Sequence, residues 1–409
     1  MESLDFIVSG ARVWESQNDS VGPLSTTLRV RDGRIVALGE AAEAGAREAR
    51  RIDLGGRILV PGLIDAHVHL ELDPALSTPA EQSAVPEATR LEAMARRAKA
   101  MLFAGITTTR DCGGGCHREH RLRREIEAGL RPGPRLLCCG QPITTPGGHC
   151  EFWGGAVSTR MEVDRMVALQ LEAGSEWIKV MATGGVITPK SRPRDVQFDV
   201  GRLVDIVGTA ARAGCPVAAH CHATRGIAAA LRAGVRTIEH ASFAGKGGFG
   251  TEIDESLIRE LGASEVWVSP TVNAGWGRRI PDDRDGPSPF FDRMSTCLRL
   301  QRDHGVRFIA STDAGIPGVA HDDLVSGLLA FERYAGLRPV DVLRAATSEA
   351  ATALDVGDRT GRIAPGLSAD FLVLEANPLE DLSVLRDPEF VVFRGRFFDR
   401  EMREGGQAE

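Results

Sequence analysis

No run of this 409-residue chain is apolar for the length of a bilayer, so a helical membrane protein is not expected. The stretch MESLDFIVSGARVW at its start has neither a basic n-region nor a long apolar h-region, and a cytoplasmic protein is expected. Excess positive charge is also missing. A net charge of −7 gives no footprint for nucleic acid or an anionic membrane surface, which leaves a small molecule as the expected partner. Paired cysteines are missing too. Cys112, Cys116, Cys138, Cys139, Cys150, Cys215, Cys221 and Cys297 form no C-x-x-C motif and read as reduced thiols with structural roles. What the chain has is bulk. Its hydrophobic content of 43% is ample for one large domain, alone or with a small companion.

Both ends read as β-structure. Within residues 1–60, DFIVSGARVW, TLRVRDGRIVALG and RRIDLGGRILV alternate apolar and polar residues, and Asp32-Gly33 is a hairpin signal. Residues 359–409 have the same texture in ADFLVLEANPL and EFVVFRGRFFD, with a turn at Arg394-Gly395. One small β-module drawing on both ends is expected.

Between them a different unit recurs: a helix-like stretch, a glycine, then a short apolar strand. AKAMLFAGITTTRDCGG, VALQLEAGSEWIKVMATGG, VGTAARAGCPVAAHCHA, IAAALRAGVRTIEHAS, LIRELGASEVWVSPTVN and LRLQRDHGVRFIASTDAG are copies. Short apolar strands of this kind belong to a parallel sheet covered on both faces. With the strand at 62–69 they approach the eight of a (β/α)8 TIM barrel, expected over residues 61–358. A doubly wound α/β sheet is the other architecture. It would place fewer polar residues at consecutive strand ends.

Those strand ends carry the chemistry. PGLIDAHVHLEL puts His67 and His69 on one face of a strand, where two imidazoles pack poorly and ligate metals well. A pair of satisfied core histidines is the plainer reading, so further ligands decide. ITTTRD ends in Asp111, WIKVMATGG carries Lys179, PVAAHCH gives His220 and His222, RTIEH gives His240, VWVSPT gives Ser269 and Thr271, and RFIASTD gives Asp313. His149 lies in a Gly-rich loop.

This order of motifs resembles the amidohydrolase superfamily, in its imidazolonepropionase-like and prolidase-like branch. The resemblance runs nearly end to end, through PGLIDAHVH, AGITTTRD, TPGGHCEFWGG, IKVMATGG, AAHCHA, GVRTIEH, STDAG and TGRIAPGLSADFLVLEANPL. It implies a (β/α)8 barrel with a β-sandwich built from residues 1–60 and 359–409. It implies two divalent metal ions, zinc first, with manganese, cobalt or iron also suited to the ligands. His67 and His69 match ligands of the more buried ion. Lys179 matches the lysine that becomes N-carboxylated and bridges both ions. His220 and His240 match ligands of the second. Asp313 matches the aspartate that ligates and moves the proton, and His149 a loop histidine that faces substrate. Two ions sharing a water lower its pKa toward neutrality. Asp313 then takes the proton as the hydroxide attacks, and a metal or His149 polarises the carbonyl.

Other residues receive smaller roles. His222 shares a strand face with His220 and reads as a pocket wall or substrate contact. Asp111 reads as a support for a ligand. Lys190, Arg192 and Arg194, in ITPKSRPRDVQF, read as solvated, with one substrate contact open. The charged run at 118–125 reads as a solvated helix face. Some prolidase-like relatives carry H-x-Tyr where this chain has His220-Cys221-His222. Its one tyrosine is Tyr334.

The expected activity is therefore hydrolysis of an amide-type C–N bond in a dipeptide, an N-acyl amino acid, or a carbamate- or urea-like compound. A cyclic-amide hydrolase or a deaminase of the same superfamily is the alternative, though deaminases usually lack the strand-four lysine. A non-catalytic scaffold would have lost ligands. Relatives often assemble as homo-oligomers, and the same is expected here.

Overall fold

The computed structural model describes residues 5–23, 26–45, 47–278 and 289–399. Residues 1–4, 24–25, 46 and 400–409 of the expected terminal β-module, and 279–288 of the expected barrel segment, lie outside the described residues. The N-terminal side supplies β1 (Asp5–Val13), β2 (Thr26–Arg31), β3 (Arg34–Leu38), β4 (Arg50–Asp53) and β5 (Ile58–Pro61). Eight strands follow: β6 (Leu63–Val68), β7 (Ile106–Asp111), β8 (Arg135–Cys138), β9 (Ile178–Met181), β10 (Val217–Ala223), β11 (Thr237–Ala244), β12 (Trp267–Ser269) and β13 (Arg307–Phe308). The C-terminal side adds β14 (Phe371–Leu374), β15 (Phe390–Phe393) and β16 (Arg396–Phe398).

One sheet joins both sides of the chain, in the order β16-β15-β14-β5-β1-β2-β3, with β4 beside β1. The seam is the antiparallel pair β5–β14, where Leu59 faces Val373. Period-two alternation explains its two buried faces. Leu59, Phe371, Val373 and Val392 pack with Phe6, Val8, Leu28 and Val30. Ile58, Val60, Leu372 and Leu374 turn the other way, into the main core. The two hairpin turns dock on each other. Asp32-Gly33 and Arg394-Gly395 are all left-handed, with φ of 49, 76, 50 and 75°. A Cβ on Gly33 would lie 2.7 Å from the Arg394 carbonyl oxygen, so glycine alone fits.

These eight strands form two parallel sheets, β6-β7-β8 and β9-β10-β11-β12-β13. Isolated parallel bridges link them at both margins, Ile143 with Val180 and Val68 with Ala314. The Met181 N–H donates to Ile143 O and the His69 N–H to Ala314 O, each at 2.8 Å. The protein is thus an α/β fold with parallel sheets. Alternation again sets what faces where. On β9 and β10, Ile178, Val180, Val217, Ala219 and Cys221 join the main core. Trp177 and Ala218 turn inward, against Ile64, Ala66 and the helix Ser348–Ala353. Lys179, His220 and His222 share that inward direction farther along the strands. No described helix is long and apolar enough to cross a membrane.

The helix Arg118–Glu127 corrects one expectation. Arg121, Arg124 and Glu127 are exposed, but Glu119 and His120 are buried on the opposite side beside Leu122 and Ile126. The charged run is a solvated face for part of its turn only, because the His120 ring reaches Ser175 at 3.0 Å.

Candidate active site

His67 ends β6 and His69 follows it, and each gives one ring nitrogen to a fixed acceptor. The His67 Nδ1–H donates to Glu239 Oε2 at 2.8 Å, and the His69 Nδ1–H to the Gly113 carbonyl at 2.7 Å. Their Nε2 atoms therefore aim inward, 3.3 and 3.4 Å from Asp313 Oδ1. Asp111 steadies this arrangement by accepting from the backbone N–H groups of Gly113 and Leu70, at 2.8 and 3.1 Å. Lys179 is 1% exposed, and its Nζ stands 3.1 Å from His67 Nε2.

His220 and His240 converge from adjacent strands. The His220 Nε2–H donates to Gly184 O at 3.1 Å, which leaves Nδ1 to face His240 Nε2 at 2.9 Å. His240 Nδ1 pairs with Thr271 Oγ1 at 2.8 Å. His222 stacks on His240 with ring centroids 4.4 Å apart, and its Nδ1 pairs with Ser242 at 2.8 Å. His240, Thr271 and Asp313 all have left-handed backbone, with φ of 70, 52 and 59°. Such strain persists where the surroundings over-determine it and clusters at functional sites.

Sequence reasoning missed the groups that hold these side chains. Asp65 Oδ1 accepts from Thr312 N at 3.1 Å and its Oδ2 from the Thr312 hydroxyl at 2.6 Å, tying β6 to the loop that carries Asp313. Burial raises Asp65 to about 7. Arg110, fully buried, donates to Glu239 at 2.7 Å and to Ala66 O at 2.8 Å. Burial disfavours ionised Glu239, yet Arg110 and His67 keep its pKa low. The available signals were faint: an acid two residues before His67, an arginine inside TTTRD, and an acid inside TIEH. Cys112, read from sequence as structural, lies in the ligand cluster described below. His321, given no role, bonds His69 O at 3.0 Å.

His149 sits opposite, with its ring centroid 4.7 Å from that of His220. The loop after β9 clamps it. Thr188 Oγ1 accepts from the Cys150 N–H and pairs with His149 Nδ1, each at 2.9 Å, and Gln197 accepts from the His149 N–H at 2.6 Å. The same loop presents Lys190, Arg192 and Arg194 to solvent, with Arg192 on Asp195 at 2.9 Å. Burial lowers His149 to about 4 and His222 to about 3. Burial and then neighbouring imidazoles push His220 and His240 well down. All four are neutral near pH 7, the form that ligates or donates a single N–H. Burial opposes charge on Asp313, but His67 and His69 hold it ionised.

Nitrogen and carboxylate donors converging in this way suit a divalent transition metal. Among the described residues, three sets bring ligand atoms within 4.8 Å of one another: His67–His240–Asp313, His220–His222–His240 and His67–Cys112–Glu239. His69 reaches Asp313 from beside the first set. His222, read as a substrate contact, stands among possible ligands. His67, His69, His220, His222, His240 and Asp313 floor a cavity of about 450 Å³ whose walls are largely apolar, among them Leu72, Trp153, Met181, Phe249, Trp276 and Phe290.

Residues 58–397 match the amidohydrolase family. The chain is 29% identical to an ochratoxinase from Aspergillus niger over 409 residues, covering 90% of this chain and 81% of the relative. An imidazolonepropionase from Chloroflexus aggregans is 26% identical over 391 residues, 86% of this chain and 84% of that one. The solved structure of a prolidase complexed with N-methylphosphonate-L-proline superposes with a TM-score of 0.83 at 27% identity, covering 97% of this chain and all of the other. The chain belongs to the amidohydrolase family, in the branch that resembles imidazolonepropionases and prolidases, and is a hydrolase acting on carbon–nitrogen bonds.

Proposed function

We propose that this protein is a binuclear metal-dependent amidohydrolase that cuts an amide-type C–N bond in a small molecule. One observation carries the reading: Lys179 Nζ, His67 Nε2 and Asp313 Oδ1 follow one another at 3.1 and 3.3 Å on a floor shared with His69, His220 and His240. His67, His69, Lys179 and Asp313 would hold one ion. Lys179, His220 and His240 would hold the other, with zinc first and manganese, cobalt or iron also suited. Lys179 joins the set as a carbamate. Its neutral amine adds to CO2, a C–N bond forms, one proton leaves to solvent, and the product is an anionic oxygen donor.

The bound ions would supply Lewis acidity and a water of lowered pKa. The chain's own groups do the rest. Asp313 Oδ1 accepts a proton from the attacking water and returns it to the leaving nitrogen. His149, neutral and clamped by Thr188, donates to the substrate carbonyl oxygen as charge develops there. His222 walls the substrate. The fold under this reading is a (β/α)8 barrel of residues 61–358, with a β-sandwich from 1–60 and 359–409. The bridges at both sheet margins and the shared terminal sheet support it. A cytoplasmic homo-oligomer completes the reading.

Elemental analysis after reconstitution, run alongside an amine-release assay on N-acyl amino acids, dipeptides and carbamates, tests it. Two ions per chain and amine release are expected. One ion at full occupancy, with ammonia as the product, would replace this reading with a deaminase.

A further inference from the structure

Six rings run in contact across the cavity floor. Trp153 lies on His69, His69 on His67, His67 on His240, His240 on His222 and His222 on Phe249, at centroid separations of 5.2, 5.3, 5.3, 4.4 and 4.9 Å. The middle of this file is the polar, reacting part. Its two ends are aromatic and open into different apolar lobes. At the Trp153 end Leu72, Cys150 and Met181 pack together with Ile187 against them. At the Phe249 end Phe290 stands 6.0 Å from Phe249 and 5.6 Å from Trp276, backed by Phe291 stacked on Tyr334. Aromatics are 5% of this chain, yet they gather here. Among the described residues that line the cavity, Asp313 is the only acid, and there is no lysine or arginine.

A free carboxylate or ammonium in either lobe would meet no lysine or arginine among the described lining residues and would exchange water largely for ring faces, at a cost. An aryl ring would bury its faces against edges and faces of other rings, the arrangement aromatic pairs favour. We propose that the substrate is an amide with an uncharged apolar group on each side of its scissile bond, and that an aryl ring fills the Phe249–Trp276–Phe290 lobe. This rests on the amide-hydrolysis reading above and narrows it, setting dipeptides and free N-acyl amino acids aside. The cavity, at about 450 Å³, lies within the range of small-molecule sites, roughly 300–1,000 Å³.

The test uses the full chain loaded with zinc and four neutral amides: N-benzyl-2-phenylacetamide, N-benzylacetamide, N-methyl-2-phenylacetamide and N-methylacetamide. Wherever a ring is present a methylene insulates it from the amide, so intrinsic reactivity is nearly matched. Calorimetric Kd and kcat/KM are both read. Each ring is expected to improve both by roughly ten- to a hundredfold. Phe249→Leu is expected to shrink the ring advantage on one side of the bond and Trp153→Leu that on the other, each by about tenfold. The wild-type comparison decides the matter even if a variant fails to fold. Equal Kd for ring and methyl compounds overturns the proposal, as does faster turnover of glycyl-phenylalanine than of the neutral amides. Ring-dependent binding without turnover of any amide leaves the lobes standing and sinks the hydrolysis reading. Turnover without ring dependence does the reverse.

Discussion

Replacing Glu239 by glutamine changes one charge and almost no volume, and its consequences follow from the network around it. Glu239 and Arg110 have no exposed side-chain surface. Glu239 takes the His67 Nδ1–H on one oxygen, and Arg110 with the Thr237 hydroxyl on the other. Arg110 lies over Trp177 at 4.5 Å and stays cationic whatever its partner. In Glu239→Gln the guanidinium loses its counter-charge, and the new amide can accept from Arg110 or from His67 but presents N–H to the other. Breaking a buried pair costs about 3–5 kcal/mol, and one retained hydrogen bond offsets about 1 of that. A net loss of about 2–4 kcal/mol is expected. With an unfolding entropy near 2.1 cal/mol/K per residue, that lowers the midpoint of the 409-residue chain by roughly 2–5 °C in a calorimetric scan of metal-free protein. His67 also loses the anion that orients it, so metal affinity should fall roughly 10–100-fold. The double variant Arg110→Met/Glu239→Leu separates the two effects. Removing both charges should restore most of the stability, while His67 remains without its acceptor and the affinity stays low. If Glu239→Gln keeps its midpoint within about half a degree and binds metal normally, this account of the network is wrong.

Lys179→Ala should lose most metal and activity. Formate or acetate with added metal should recover a fraction, whereas Lys179→Arg should gain nothing, because its guanidinium stays cationic in the same space; unassisted near-normal turnover by Lys179→Ala would exclude a bridging role. His149, with a folded pKa of about 4, takes its proton later than it does unfolded, near 6.5, so its contribution to stability is lost as pH falls from 6.5 through 4. Urea unfolding of metal-free His149→Asn should show less acid sensitivity in that window, by up to about 3 kcal/mol, and an unchanged slope would contradict this. Thr188→Val strands the Cys150 N–H and frees the His149 ring, so kcat should fall more than KM rises; a pure KM effect would remove the clamp from the argument. Gly33→Ala should destabilise by about 1–3 kcal/mol more than Gly39→Ala, since both are left-handed but only Gly33 meets a neighbouring carbonyl; equal losses would mean the two turns do not support each other.

Much of this candidate site was legible because its residues sit where strands end. His67, His69, Lys179, His220, His240 and Asp313 interrupt apolar runs at the position where a parallel strand delivers side chains to one rim, and a reader of the chain sees each interruption. The terminal sheet was legible for a similar local reason, since Asp32-Gly33 and Arg394-Gly395 name their turns. Its docking was not, because the contact between Gly33 and Arg394 joins residues at opposite ends of the chain. Glu239 and Arg110 escaped for the same reason in sharper form. A charge inside a buried strand looks like a fault in the pattern until its partner is known, and that partner lies on another strand. The aromatic lobe gathers Phe249, Trp276 and Phe290 from a loop and two helices, with no common period to reveal them.

The orientation partners also set how these four histidines meet. His67 gives one ring nitrogen to Glu239, His69 to Gly113, His220 to Gly184, and His240 pairs with Thr271. Each partner lies on a different strand or loop from its histidine, so the tautomers are set by the parallel sheets themselves. The remaining nitrogens of His67 and His69 then face Asp313, with Lys179 beside His67, while those of His220 and His240 face each other at 2.9 Å. A rim that fixes its lone pairs through backbone carbonyls and buried side chains needs little rearrangement when charge arrives. That is the physical content of preorganisation here. It also explains why Asp65 and Glu239, which reach no described cavity surface, bear on the chemistry as much as residues that line it. They decide where the first-strand histidines and the last-strand aspartate point.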